Sequence, residues 1–151
     1  MILLLIASNV FPSGSMTSWM EPAAFRLALG DSMESVQKRF EARGWELGEG
    51  RGIDQLVHHY DETRTVTLYF RDAELSSIRF ELTAFVPDAK KAFEERETRL
   101  RELFGDPRSL GEHGEEFSGA DGTVHLVLVE AGDDAEGVAT LVVRYFVREA
   151  V

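Results

Sequence analysis

Two runs decide the fold: Thr65-Val66-Thr67-Leu68-Tyr69-Phe70, and after a short gap Leu75-Ser76-Ser77-Ile78-Arg79-Phe80-Glu81-Leu82. In the first, Val66, Leu68 and Phe70 share one side while Thr65, Thr67 and Tyr69 take the other. In the second, Ile78, Phe80 and Leu82 alternate with Ser77, Arg79 and Glu81. Successive strand side chains point to opposite faces, so this period of two marks strands with one buried and one wet face. Half-wet strands belong to antiparallel sheets. With Gln55 to Tyr60 as a third strand, residues 55–82 read as an antiparallel meander.

Working outward, Met33, Val36 and Phe40 recur at helical spacing behind Gly30-Asp31-Ser32. Asp31 is the expected N-cap, with Glu34 reaching back to close a capping box. Gly44 suits a left-handed C-terminal cap, and Trp45 then folds onto the core. A second helix is expected from Pro87-Asp88 to Phe104, stopped by Gly105-Asp106-Pro107, with Phe93, Leu100, Leu103 and Phe104 as its apolar stripe. Its pairs Lys90/Glu94, Lys91/Glu95, Glu95/Arg99 and Glu97/Arg101 predict a solvated, self-compensating surface. Strands return at Glu115 to Ser118, Thr123 to Glu130 and Val138 to Val147, separated by Gly- and Asp-rich segments.

The order helix, three strands, helix, three strands reads as a duplicated unit. By eye, Phe40 to Leu47 lies over Leu103 to Leu110, Tyr60 to Phe70 over Phe117 to Leu128, and Ile78 to Leu82 over Leu141 to Tyr145. The expected fold is α+β: one antiparallel sheet of about six strands with two helices on one face. Residues 23–151 form a single domain, behind an N-terminal apolar segment, 1–22. The later strands lack a wet face, because Val127 and Val129 oppose Val124, Leu126 and Leu128, and Val142 and Phe146 oppose Leu141, Val143 and Tyr145. They need cover on both sides, from the run Ile2 to Phe11 or from a second copy of the chain in a homodimer.

That N-terminal run has three readings: a clipped export signal without its usual leading cation, a buried strand, or a start placed ahead of Met16 or Met20. It is too short to be a membrane-spanning helix. The chain's 151 residues can bury enough surface to fold without a metal or disulfide, and with no Cys thiol chemistry is excluded. Sixteen Lys and Arg against 27 Asp and Glu, a net charge of -11, make nucleic acid a poor partner.

Leu29-Gly30-Asp31-Ser32-Met33-Glu34-Ser35-Val36 and Leu103-Phe104-Gly105-Asp106-Pro107 together resemble the small outer-membrane assembly lipoproteins and the β-lactamase inhibitor protein-like repeats. The resemblance implies a noncatalytic α+β module that presents a sheet or loop face to another protein. The lipoproteins' lipid-bearing Cys has no counterpart here, and the Gly-x-Pro follows the second helix instead of the first. In charge and early element order the chain is also similar to the acidic chaperones of type III secretion systems, although those finish with a helix.

Gly30-Asp31-Ser32-Met33 is similar to the nucleophile block of Gly-Asp-Ser-Leu esterases, yet the only Asn is Asn9 and no Asp-x-x-His follows. Ser32 therefore reads as a first-turn helix residue. His58 and His59 adjoin on one strand and face opposite ways, so they do not share a metal; one is expected to be exposed and the other partly buried and satisfied. Asp133-Asp134-Ala135-Glu136-Gly137 lacks the alternation of a calcium loop. Neither a metal nor a cofactor is expected. An enzyme would need a pocket gathering Asp61, Glu62, Arg64, Arg79, His58 and His59.

The reading is a noncatalytic protein-binding or adaptor module, with a secretion-type chaperone, an acidic immunity-like inhibitor or a small enzyme as alternatives. From Ser109 to Val143 there is no Lys or Arg, while Glu112, Glu115, Glu116, Asp121, Glu130, Asp133, Asp134 and Glu136 all fall there. Glu112, Glu115, Glu116, Asp121, Asp133, Asp134 and Glu136 are the candidate partner-binding residues. They would form one electronegative face, with His113 or His125 at its margin, that steers a basic protein.

Overall fold

A computed structural model describes residues 15–52, 54–120, 122–130 and 137–147. After a 3-10 turn, Pro22–Phe25, come α1 (Met33–Ala42) and strands β1 (Gly48–Glu49), β2 (Gln55–His59), β3 (Arg64–Arg71) and β4 (Glu74–Phe85). Then come α2 (Val86–Phe104), β5 (Arg108–Ser109), β6 (Gly114–Ser118), β7 (Gly122–Glu130) and β8 (Val138–Val147). All the strands form one antiparallel sheet in the order β1-β2-β3-β4-β8-β7-β6-β5. The sheet thus has eight strands where about six were expected. The two extra, β1 and β5, are two-residue strands at the outer edges, too short to carry an alternation that could be read. Short edges also leave little unpaired backbone to recruit another strand.

The two halves share one element order, a helix followed by four strands, and meet where β4 pairs with β8. Ile78 lies opposite Tyr145, Phe80 opposite Val143 and Leu82 opposite Leu141. These are the segments superposed in the sequence alignment, now running antiparallel with the equivalent residues Phe80 and Val143 facing each other.

Both helices pack on one face. Ser32, not Asp31, caps α1: its Oγ accepts the Ser35 N–H at 3.1 Å. Asp31 instead accepts the Ala28 N–H at 2.9 Å and Arg39 at 2.7 Å, closing the preceding turn, while Glu34 pairs with Lys38. Burial works against the Asp31 charge, but these donors hold its carboxyl below the usual range. Gly44 takes the left-handed conformation with φ 72°, so the Trp45 N–H reaches the Phe40 carbonyl, and Trp45 packs on Phe25, Phe40 and His58. Residues 15–22, grouped in sequence with the N-terminal apolar segment, pack into the domain: Trp19 and Met20 are buried, and Trp19 lies edge-on to Phe80. The run Ile2 to Phe11 lies outside the described residues.

The outer surface of α2 differs from the self-compensating one expected. Glu95 Oε1 accepts the Ser15 and Thr17 hydroxyls and the Met16 and Thr17 N–H groups. Arg96, 1% exposed, donates to the Thr17 carbonyl and to Glu21, and Arg99 also donates to Glu21. Lys90 reaches across to Glu130. Of the anticipated pairs the described contacts retain Glu97 with Arg101, at 3.8 Å. The helix thus ties residues 15–21 down, which its i,i+4 spacing could not reveal. No helix among the described residues is long and apolar enough to cross a membrane.

Candidate functional site

The pairing registers place every strand side chain on one of two faces. Val66, Leu68, Ile78, Phe80, Leu126, Leu141 and Val143 face the helices and are buried. The opposite face carries Thr67, Tyr69, Ser77, Arg79, Glu81, Thr83, Phe85, Glu116, His125, Val127, Val129, Val138, Thr140, Val142, Arg144 and Phe146. Among the described residues no element lies over it. The later strands are expected from sequence to need cover on both sides; α2 covers their inner side, while on the outer side no described element does, and there Phe85 is 68% and Val129 52% exposed, with Val138 and Val142 beside them.

One row runs across this face from strand to strand. Arg79 lies opposite Arg144, Arg144 opposite His125, His125 opposite Glu116, and Glu116 opposite Arg108. The Arg144 guanidinium sits 5.8 Å from the centre of the Tyr69 ring and 5.0 Å from that of Phe146, and its Nε donates to Ser77 Oγ at 2.9 Å. His125 meets Phe146 edge-on at 4.8 Å. Its Nε2 is 2.9 Å from Glu116 Oε2, and Arg108 is 3.0 Å from Glu116 Oε1. The His125 hydrogen bond, the largest effect, outweighs desolvation and, with the Arg108 charge added, holds the Glu116 carboxyl below its usual range. Arg79 pairs with Glu81 at 3.0 Å. Arg144 rests on its two rings and on Ser77, with no carboxylate among the described residues within ion-pair distance.

Of the acidic residues singled out in sequence, the three among the described residues, Glu112, Glu115 and Glu116, do not share a face. Glu115 and Glu116 are neighbours on β6, so they point to opposite sides. Glu116 joins the row just described, whereas Glu115 faces α2 beside Glu97 and 3.8 Å from Arg101. Burial and the Glu97 carboxylate push the Glu115 carboxyl up to about 7, with Arg101 opposing. Glu112 is exposed in the β5–β6 turn, 3.5 Å from His113 Nε2. Asp121, Asp133, Asp134 and Glu136 lie outside the described residues.

The groups considered for a catalytic pocket are also separated. His58 is buried among Phe25, Phe40 and Trp45 with Nδ1 2.9 Å from the Glu46 carbonyl, while His59 is exposed on the other face. Asp61 receives Arg64 and the Thr63 and Arg64 N–H groups within the β2–β3 turn. Arg79 belongs to the open face. Among the described residues no three His, Asp or Glu gather to hold a metal ion. A cleft of about 260 Å³ opens on the helix side between Leu29, Phe104, Gly119, Gly122, Val124 and Tyr145, and its lining is mainly apolar.

The sequence reading weighs Arg79 only for a catalytic pocket, and it does not single out Tyr69, Arg144 and Phe146 as site residues. Their signal was present as the polar alternates to the core positions, but joining them needed the β4–β8 pairing across a gap of more than sixty residues. Compared with protein-family models, with curated proteins and with solved structures, the chain finds no match.

Proposed function

We propose that this chain is a noncatalytic protein-binding module that docks its partner on the open face of the sheet. What carries the reading is a broad, regular face with Arg144 against both Tyr69 and Phe146 and with Phe85, Val129, Val138 and Val142 at one end. Aromatic and arginine anchors set in a mixed apolar and polar surface are the residue types that dominate protein–protein binding energy. The anchors stand on strands of a sheet backed by a packed core, so little ordering is required when a partner arrives. We read the two halves as copies of one unit, which explains why the face is continuous from β1 to β5. A homodimer stacked face to face is disfavoured, because it brings the Arg79 and Arg144 of one copy toward those of the other.

The test uses photo-crosslinking residues placed singly at Thr65, Val129 and Thr140 on the open face and at Lys91 and Thr98 on α2, in lysate of the source cells. The expected outcome is a common protein adduct from the three sheet positions and none from α2. Adducts of equal yield from both sides, or from α2 alone, would refute the assignment of the face.

A further inference from the structure

We infer that the partner meets this face with an acidic segment, whose carboxylate lies on the Arg144 guanidinium between Tyr69 and Phe146. The inference rests on the protein-binding reading above and adds the chemistry of the partner. Its starting point is a contrast in charge. The chain as a whole is strongly acidic, at -11, yet the row across the open face carries Arg79, Arg108 and Arg144 against Glu81 and Glu116. Arg108 and Arg79 each have a carboxylate within 3.0 Å, at Glu116 and Glu81 respectively. Arg144 has none among the described residues.

The geometry around Arg144 favours a carboxylate over a neutral group. Its Nε is already committed to Ser77 Oγ, and the two flanking rings hold the guanidinium plane in place. The remaining N–H groups on its terminal nitrogens are left as a preset donor pair. A guanidinium fixed in this way binds a planar carboxylate through two parallel hydrogen bonds, and the ring faces lower the local dielectric that screens the attraction. Further along the face, the Thr83 and Thr140 hydroxyls, 3.1 Å apart, and the Val127 and Val142 side chains suit a polypeptide with alternating polar and apolar groups. A nucleic acid is disfavoured, because its many phosphates would meet a chain carrying 27 carboxylates.

The experiment uses the purified full chain and three synthetic dodecapeptides in which Glu, Gln or Lys alternates with Thr and Tyr, followed by backbone amide NMR shifts and titration. The Glu peptide is expected to bind saturably, moving amides in 67–69, 77–81, 125–127 and 142–146. The Gln and Lys peptides should bind at least tenfold more weakly. Arg144→Gln should weaken the Glu peptide at least tenfold, and Arg43→Gln, a cation on the helix side resting on Trp45, should leave it unchanged. Equal binding of the Gln peptide, tighter binding of the Lys peptide, or displacement by oligothymidylate would overturn the inference. So would self-association of the chain abolished by Arg144→Gln, which makes the occupant a second copy. Crosslinks confined to the open face but indifferent to Arg144→Gln would sink the acidic segment and leave the face assignment standing.

Discussion

Replacing Glu115 by Gln tests the energetics of the β6–α2 contact through pH. Glu115 sits under α2 with Glu97 beside it, its side chain 16% exposed, and its Oε1 finds no hydrogen-bond donor among the described residues. Its carboxyl is raised from an ordinary 4.5 to about 7, by burial first and by Glu97 second. The unfolded chain releases this proton near 4.5, whereas the folded chain keeps it until about 7. Between those values unfolding releases a proton, so stability falls as pH rises through the window and stays lowered above it. A shift of about 2.5 units at about 1.4 kcal/mol per unit bounds the loss at roughly 3.5 kcal/mol. Relaxation and the nearby Arg101 reduce it, so about 1–3 kcal/mol is expected. Glu115→Gln stays neutral throughout and should match the wild type within about 0.5 kcal/mol at pH 4.5, yet exceed it by about 1–3 kcal/mol at pH 8. Urea unfolding followed by the fluorescence of Trp19 and Trp45, with unchanged m-values, measures the difference. Glu21, Asp31, Asp61 and Glu116 have lowered carboxyls and lose their stabilisation as pH falls, but they are common to both proteins and cancel. A difference between the two proteins that is the same at pH 4.5 and pH 8 would refute the proton-sharing account.

Three further expectations concern the scaffold. Arg96→Met removes a buried cation that holds both the Thr17 carbonyl and Glu21; it should cost about 3–5 kcal/mol in chemical denaturation and expose the chain near residue 15 to limited proteolysis, and a cost below 1 kcal/mol would count against the strap. Ala73 holds φ 62° beside Asp72 at 53° in the two-residue β3–β4 turn. Ala73→Gly should therefore raise stability by up to about 1 kcal/mol in thermal unfolding, because relief of left-handed strain exceeds the added freedom of the unfolded chain. A Cβ added at Gly122 would lie 2.6 Å from the Phe146 carbonyl oxygen, a backbone atom with little room to move; Gly122→Ala should cost about 1–3 kcal/mol, read from the midpoint of urea unfolding.

Much of this molecule is decided by short-range pattern. The alternation in 65–70 and 77–82 fixes strands and tells the core face from the wet one, because strand side chains have no choice but to alternate. Gly44 and Gly105-Asp106-Pro107 end the helices where local backbone preference says they must, and the strand Val138–Val147 has the limits its apolar run suggests. Other features depend on partners distant in sequence. Asp31 and Ser32 are both competent caps, and what separates them is Arg39, which draws the Asp31 carboxylate into the preceding turn. Lys90, Glu95 and Arg99 carry ideal helical spacing, but their strongest contacts lie on Glu130, on residues 15–17 and on Glu21. The edge strands β1 and β5 exist only because longer neighbours offer them hydrogen bonds. The open face has the same origin: Tyr69 and Ser77 read as ordinary wet-face residues and Phe146 as part of an apolar second face, and only the pairing of β4 with β8 brings them and Arg144 within reach of one another. Periodicity assigns a residue to a face, whereas its neighbours on that face depend on strand order and register, which long-range packing selects.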